Sequence, residues 1–209
     1  MEHTVICLSR QSGSGGREVG RRLAKRLNIP FYDYELIELA AEKGGIQLER
    51  LEKVDERKTN PWLYRSLYEG NGSVVTRGGS PNDTLFWLQS EVVREKAKEG
   101  SCIFVGRCAG YILRKAGIPH HSVFICAPWE DRIRRAGMRE QLDEKSAAAY
   151  VRKVDKQRKG YTEYYTGESW GKPEDYELCV NSSVLGLDGT AELLARLVRA
   201  AEDEGIEGK

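Results

Sequence analysis

The sequence lacks most of the features that would announce a function. No apolar run approaches the roughly 20 residues that a membrane helix needs. Met1 is followed by Glu and His rather than by a basic and then an apolar stretch, so no secretory signal is expected. Neither charge dominates: 33 basic residues face 32 acidic ones. That balance gives no global field to attract nucleic acid or a membrane surface. The three histidines, His3, His120 and His121, have no H-E-x-x-H or other ligand spacing, which argues against a metal hydrolase. Five cysteines form no C-x-x-C pair. Cys102 and Cys108 are too loosely spaced for a zinc knuckle, and no local signature marks a catalytic thiol. Cys7, Cys102, Cys126 and Cys179 lie in apolar runs, where reduced, buried thiols are expected. The reading is of a cytoplasmic protein without disulfides, membrane spans or nucleic-acid partners.

What is present is a series of short apolar strands separated by helical patterns. With 209 residues the chain can bury one large core. Thr4–Ser9 is β-branched and apolar, and reads as a buried strand. Val19, Leu23 and Leu27 then recur at helical spacing over 17–27. Phe31–Tyr32 reads as a brief second strand, followed by a helix through Leu36, Leu39 and Ala40. Short helices are expected over 45–70, with Pro61 in a first turn, and a Gly- and Ser-rich mobile loop over 69–83. Asp83 reads as the cap of a helix running to Lys98. Strands follow at 101–106, 122–127 and 178–181. Helices fill 109–115, 130–139, 144–159 and 189–202, and His120-His121 reads as a loop before a strand. Strands alternating with helices predict an α/β fold, a parallel sheet covered on both faces. Its ligand site lies at the carboxyl ends of the strands.

The segments after those strands therefore carry the functional reading. After the first comes SRQSGSGGRE (Ser9–Glu18). A Gly-rich turn entering a helix aims backbone N–H groups at an anion. Gly13, Gly15 and Gly16 permit positive φ and close backbone approach. The full phosphate-loop pattern carries a lysine and then a hydroxyl residue, and here Gly16 and Arg17 stand in those places. By itself the stretch is also compatible with a plain strand-to-helix turn. Asp33 follows the second strand and is either a helix cap or a group near magnesium or a substrate hydroxyl. Arg107 follows the third, where its fork can read a phosphate.

Farther on, Arg132, Arg134, Arg135, Arg139, Arg152, Lys153, Lys156 and Lys159 form a basic stretch. Most such charges are solvated helix faces. Asp155 and Arg158, three apart, share a face, and such a pair can aim an arginine at a transferring phosphoryl group. The aromatic-rich run over 161–176 packs a lid or a contact between two copies of a homodimer, or stacks a base.

Taken together, SRQSGSGGREVGRRLA, FYDYELI, VGRCAGYIL, the D-x-x-R of Asp155 and Arg158, YYTGESWG and LCVNSS resemble, in that order, the cytidylate kinase-like family of nucleoside monophosphate kinases. The resemblance spans nearly the whole chain. It implies one P-loop kinase-type domain over 1–209, with a three-layer fold. A helical acceptor-side region would lie at about 34–100 and a lid at about 130–175. It also implies ATP and Mg2+, with transfer of the γ-phosphoryl group to an acceptor, cytidylate or another small molecule. By position, Ser12, Gly13, Ser14, Gly15, Gly16, Arg17 and Glu18 would wrap the ATP phosphates. Arg152, Asn181 and Ser182 would serve the nucleotide from the lid and the base-side loop. Asp33 would meet metal or acceptor, and Arg107 the acceptor phosphate. Arg17, Arg107, Asp155 and Arg158 would carry catalysis. The lysine's absence leaves a second reading open, that of a nucleotide-binding regulator with weak or no turnover.

Overall fold

The structure, a computed structural model, describes residues 3–46 and 81–204. The short helices expected over 45–70, and most of the loop expected over 69–83, lie outside them. Five strands form one parallel sheet in the order β2-β3-β1-β4-β5: β1 (Val5–Arg10), β2 (Phe31–Tyr32), β3 (Cys102–Val105), β4 (His121–Cys126) and β5 (Leu178–Asn181). Seven helices are described: α1 (Gly16–Leu27), α2 (Glu35–Gly44), α3 (Pro81–Glu99), α4 (Ala109–Lys115), α5 (Trp129–Glu140), α6 (Glu144–Thr166) and α7 (Ser182–Asp203).

The period of two along β1 divides the core. Ile6 and Leu8 face one way, packing with Val19 and Leu23 of α1 and Leu194 and Val198 of α7. Val5 and Cys7 face the other way, packing with Val92 and Val93 of α3 and Ile112 and Leu113 of α4. Both faces are therefore covered, as the near-continuous apolar strands predict. Helix α1 lies close to the sheet because residue 20 has no side chain: a Cβ there would come within 2.8 Å of Leu8 and of Phe31.

Several boundaries differ from the sequence reading, each for a local reason. Asp83 does not cap α3 but lies in its first turn, where its carboxylate accepts from the Tyr165 hydroxyl at 3.0 Å. His121 is the first residue of β4 rather than a loop residue, and both histidines are buried. Nδ1 of His120 pairs with the Ile118 carbonyl, and Nδ1 of His121 with Glu177. Helix α6 does not stop at Lys159 but runs to Thr166, because its last turns bury aromatic rings. Helix α7 starts at Ser182 rather than at Gly189 and kinks at Gly186, which has a left-handed φ of 67°. The thiols are free, as expected, but only Cys7 and Cys102 are buried, while Cys179 is exposed. Burial raises the Cys7 thiol well above its ordinary range and pushes Cys102 up to about 12.

Candidate active site

The carboxyl end of β1 is where the glycines act. Gln11, the first residue after β1, is tied to β4: its N–H donates to the Ile125 carbonyl at 3.0 Å, and its side-chain oxygen accepts from the Ala127 N–H at 3.2 Å. The chain then turns, with the Ser14 N–H donating to the Gln11 carbonyl at 3.2 Å. Gly13, third residue of that turn, has φ 77°, the left-handed value that favours glycine there. A Cβ on it would lie 2.3 Å from the Arg132 carbonyl oxygen. Gly15, also left-handed at φ 78°, caps α1. The Ser14 carbonyl is held from behind by the Ser182 hydroxyl at 2.5 Å and by Arg135 at 3.2 Å. Arg135 also donates to the Ser182 and Ser183 hydroxyls.

The Ser12 N–H donates to Asp155 Oδ1 at 2.7 Å. The Gly13, Gly15 and Gly16 N–H groups have no backbone acceptor among the described residues. The first-turn N–H groups of α1 carry the helix's partial positive charge. The other oxygen of Asp155 accepts from Arg132 at 2.5 Å. One N–H of the loop thus meets an anion, the chain's own carboxylate.

The missing lysine has a steric cause. At Gly16, a Cβ would lie 2.6 Å from the Arg10 Cβ and 3.3 Å from the Ile125 Cβ. Positive charge enters instead through arginines gathered on Asp33. Arg107 donates to Asp33 Oδ1 at 2.6 Å, Arg17 Nε pairs with Oδ2 at 2.5 Å, and Arg10 lies 3.8 Å away. The Asp33, Arg107 and Arg10 side chains are buried, whereas Arg17 is 51% exposed. Gly106, Arg107 and Cys108 all have positive φ, at 78°, 50° and 56°. Consecutive left-handed residues outside glycine are costly, and such strain gathers at functional sites.

Asp155 and Arg158 both reach the end of β1, but through different partners: Arg158 donates to the Arg10 carbonyl at 3.4 Å, while Asp155 accepts from the Ser12 N–H and from Arg132. Other predicted residues lie to the side. Glu18 pairs with Arg22 at 2.9 Å on the exposed face of α1. The Asn181 side chain accepts from the Ser183 N–H at 3.0 Å, and buried Ser182 braces the loop. Arg152 stacks over Trp129, 4.8 Å from the ring centroid, on the same ring that Arg132 approaches at 5.1 Å.

Sequence reasoning missed Arg10, Arg132 and Arg135 as parts of the site. Arg10 ends a buried strand, which was its only signal. Arg132 and Arg135 are three apart on α5 and share one face, the one turned to the loop.

Beside this cluster a cavity of about 60 Å³ opens over the sheet. Its floor includes Cys7, Ser9 and Ser122; the turn at Gly106–Cys108 forms one wall. Arg158, Tyr161, Thr162 and Thr166 of α6 lie on another side, and Ser169, Trp170, Asp175 and Tyr176 close it. Burial raises the Tyr176 phenol above its ordinary value, against a lowering hydrogen bond from Ser9. The aromatic run over 161–176 serves these walls. Tyr165 stacks on Phe86 of α3 at 4.1 Å, and Tyr161 packs on both rings. Trp170 and Tyr176 pack against Phe124 of β4.

The parallel sheet, its two helical layers and the glycine turn at the end of β1 define a P-loop kinase-type fold. Residues 5–184 match the cytidylate kinase-like family, and the chain belongs to that family. An uncharacterised protein from Eubacterium ventriosum is similar in structure, with TM-score 0.69 and 25% identity over 94% of this chain and 99% of that one. Shikimate kinase from Bacteroides thetaiotaomicron shares the fold at TM-score 0.54 and 16% identity, over 94% and 98% of the two chains. A gluconokinase from Sinorhizobium meliloti does so at TM-score 0.51 and 14% identity, over 97% of each. No curated protein matches the chain.

Proposed function

We propose that the protein is a small-molecule kinase that transfers the γ-phosphoryl group of ATP to a hydroxyl of an acceptor held in the cavity beside Arg107. The observation that carries the reading is the Ser12 N–H donating at 2.7 Å to a carboxylate oxygen. One N–H of the turn after β1 meets a carboxylate, and in this reading a nucleotide phosphate takes the place of Asp155. Membership of the family and the kinases that share the fold support phosphoryl transfer.

In this reading the loop N–H groups and the first turn of α1 hold the β- and γ-phosphates. Arg17 stands in for the absent lysine: Asp33 fixes its Nε, and its guanidinium is half exposed. Arg107 and Arg158 orient the acceptor and balance charge that develops on the transferring group. The acceptor oxygen bonds to the γ-phosphorus as the bond from that phosphorus to the β–γ bridging oxygen breaks. ADP leaves and the hydroxyl proton passes to water. Such chemistry is positioning plus electrostatics and needs no protein nucleophile.

Magnesium would arrive with the nucleotide and neutralise its phosphate oxygens. No group of three or more His, Cys, Asp or Glu among the described residues could hold a metal ion. Both oxygens of Asp33 face arginines, so Asp33 is assigned as the anchor of those arginines rather than as a metal ligand.

A nucleotide-binding regulator without turnover is the second reading. Gly16 favours it, since no side chain fits where the lysine would stand. ADP release, measured with ATP and magnesium across a panel of acceptors, separates the two. Acceptor-dependent ADP supports the kinase; calorimetric nucleotide binding with no ADP supports the regulator.

A further inference from the structure

Resting on the reading of the β1–α1 turn as a phosphate site, we infer that Asp155 is an internal latch: in the empty protein its carboxylate occupies donors that a nucleotide must take over, and it thereby weakens nucleotide binding. The contact itself is the first observation. Asp155 lies in the middle of α6. Its Oδ1 accepts from the Ser12 N–H at 2.7 Å and its Oδ2 from Arg132 at 2.5 Å. A backbone N–H in a glycine-rich turn and a guanidinium are donors of the kind that bind phosphate oxygens. A carboxylate that bridges them matches such a ligand in charge and in oxygen geometry.

Arg132 is the second. The residue is 8% exposed, and its Nε is buried with no hydrogen-bond partner among the described residues. A buried donor without an acceptor is costly. Yet this arginine is held against the turn: its carbonyl oxygen lies 2.3 Å from where a Cβ on Gly13 would stand. Its guanidinium lies over Trp129, 5.1 Å from the ring centroid. Asp155 gives one oxygen to Ser12 and the other to a terminal nitrogen of Arg132, which leaves Nε unmet. The terminal phosphate of a nucleotide carries a third oxygen that can meet it. The donors are therefore better suited to a phosphate than to the carboxylate that occupies them.

The third is how α6 is tied to the end of β1. Three residues beyond Asp155, Arg158 donates to the Arg10 carbonyl at 3.4 Å, a long and weak hydrogen bond. The contacts of Asp155 are the shorter ones. Displacing its carboxylate removes the tighter of these ties. Nucleotide binding then includes the opening of the latch, and the apparent affinity falls with the fraction of molecules in which the latch is open. A strut that shaped the turn for phosphate would act the opposite way, since its removal would weaken binding.

The test is calorimetric titration of a non-hydrolysable ATP analogue with magnesium into the full-length wild type and Asp155→Asn, with the melting temperature of each nucleotide-free protein. The substitution keeps the side chain's shape and removes its charge. The variant is expected to bind about tenfold more tightly and to melt at a lower temperature, because the empty form loses its internal ligand. Binding by the variant alone also upholds the latch. Weaker or equal binding by the variant, with the wild type still binding, overturns the latch and leaves the kinase reading standing. Tighter binding with an unchanged melting temperature overturns it too, since that marks repulsion by a charge that holds nothing. A second measurement needs no variant: the NMR scalar coupling across the hydrogen bond from the Ser12 amide nitrogen to the Asp155 carboxyl carbon. It is expected in the empty wild type and lost on saturation with the analogue. Its absence from the empty protein, or its persistence in the saturated one, overturns the inference. Binding by neither protein marks failure of the nucleotide reading itself, and the latch falls with it.

Discussion

Two glycines set what the loop can be. Gly13 is left-handed and sits against the Arg132 carbonyl, and Gly16 sits against the Arg10 side chain. The first fixes the turn; the second removes the position from which a lysine would reach the phosphates. Gly13→Ala should cost about 1–3 kcal/mol of stability and abolish nucleotide binding, read by urea unfolding and calorimetry. Gly16→Lys should lower the melting temperature without raising turnover, because the obstruction begins at Cβ. Gain of activity in that variant would show that the loop only lacks its lysine. Arg17 carries the compensating charge in this account. Arg17→Ala should lower kcat roughly a hundredfold, the scale seen on removing one transition-state donor, while stability changes little because the side chain is half exposed. Unchanged kcat would take Arg17 out of the mechanism.

At the scale of elements, the site is a meeting of separate segments: the β1–α1 turn, the β2–α2 turn, the turn after β3, and the inward faces of α5 and α6. Helix α6 matters most, since it carries Asp155 to Ser12, Arg158 to Arg10, and the tyrosines to α3. Tyr161 is 5% exposed and joins that aromatic cluster. Tyr161→Ala should destabilise the fold by about 3 kcal/mol, as large-to-small core changes do. The same variant should raise KM for the acceptor more than KM for ATP, measured by steady-state kinetics.

The elements themselves were largely legible. Leu178–Asn181 and Ala109–Lys115 appear with the expected bounds, because apolar runs and helical spacing report burial directly. The extension of α6 was not legible, because Tyr and Thr run against simple helix propensity and only the partner rings on α3 stabilise it. The Arg17–Asp33–Arg107 cluster was legible as separate residues after separate strands, but their mutual pairing was not. Pairing depends on β2, β3 and β1 lying side by side, and no local spacing encodes that order.

Over the whole molecule, buried His120 links stability to pH. Burial lowers its pKa below the ordinary value of 6.5. A base whose folded pKa is depressed favours the native state above its unfolded pKa, and that contribution is lost as pH falls. Stability should therefore decline as pH falls from about 7 through the ordinary histidine range, and His120→Gln should flatten that decline in urea titrations. A wild-type midpoint constant over this range would contradict the assignment. Below it, Asp131, Asp143 and Glu192, whose hydrogen bonds lower their pKa values, should add a second, acid-range loss.

The central claim is that the turn between β1 and α1 binds nucleotide phosphates with arginine in place of lysine. Calorimetric titration of a non-hydrolysable ATP analogue with magnesium into the wild type, Gly13→Ala and Arg17→Ala tests it most directly. The account predicts saturable binding to the wild type, about tenfold weaker binding to Arg17→Ala, and none to Gly13→Ala. Equal affinity in all three proteins, or no binding to the wild type, would contradict it.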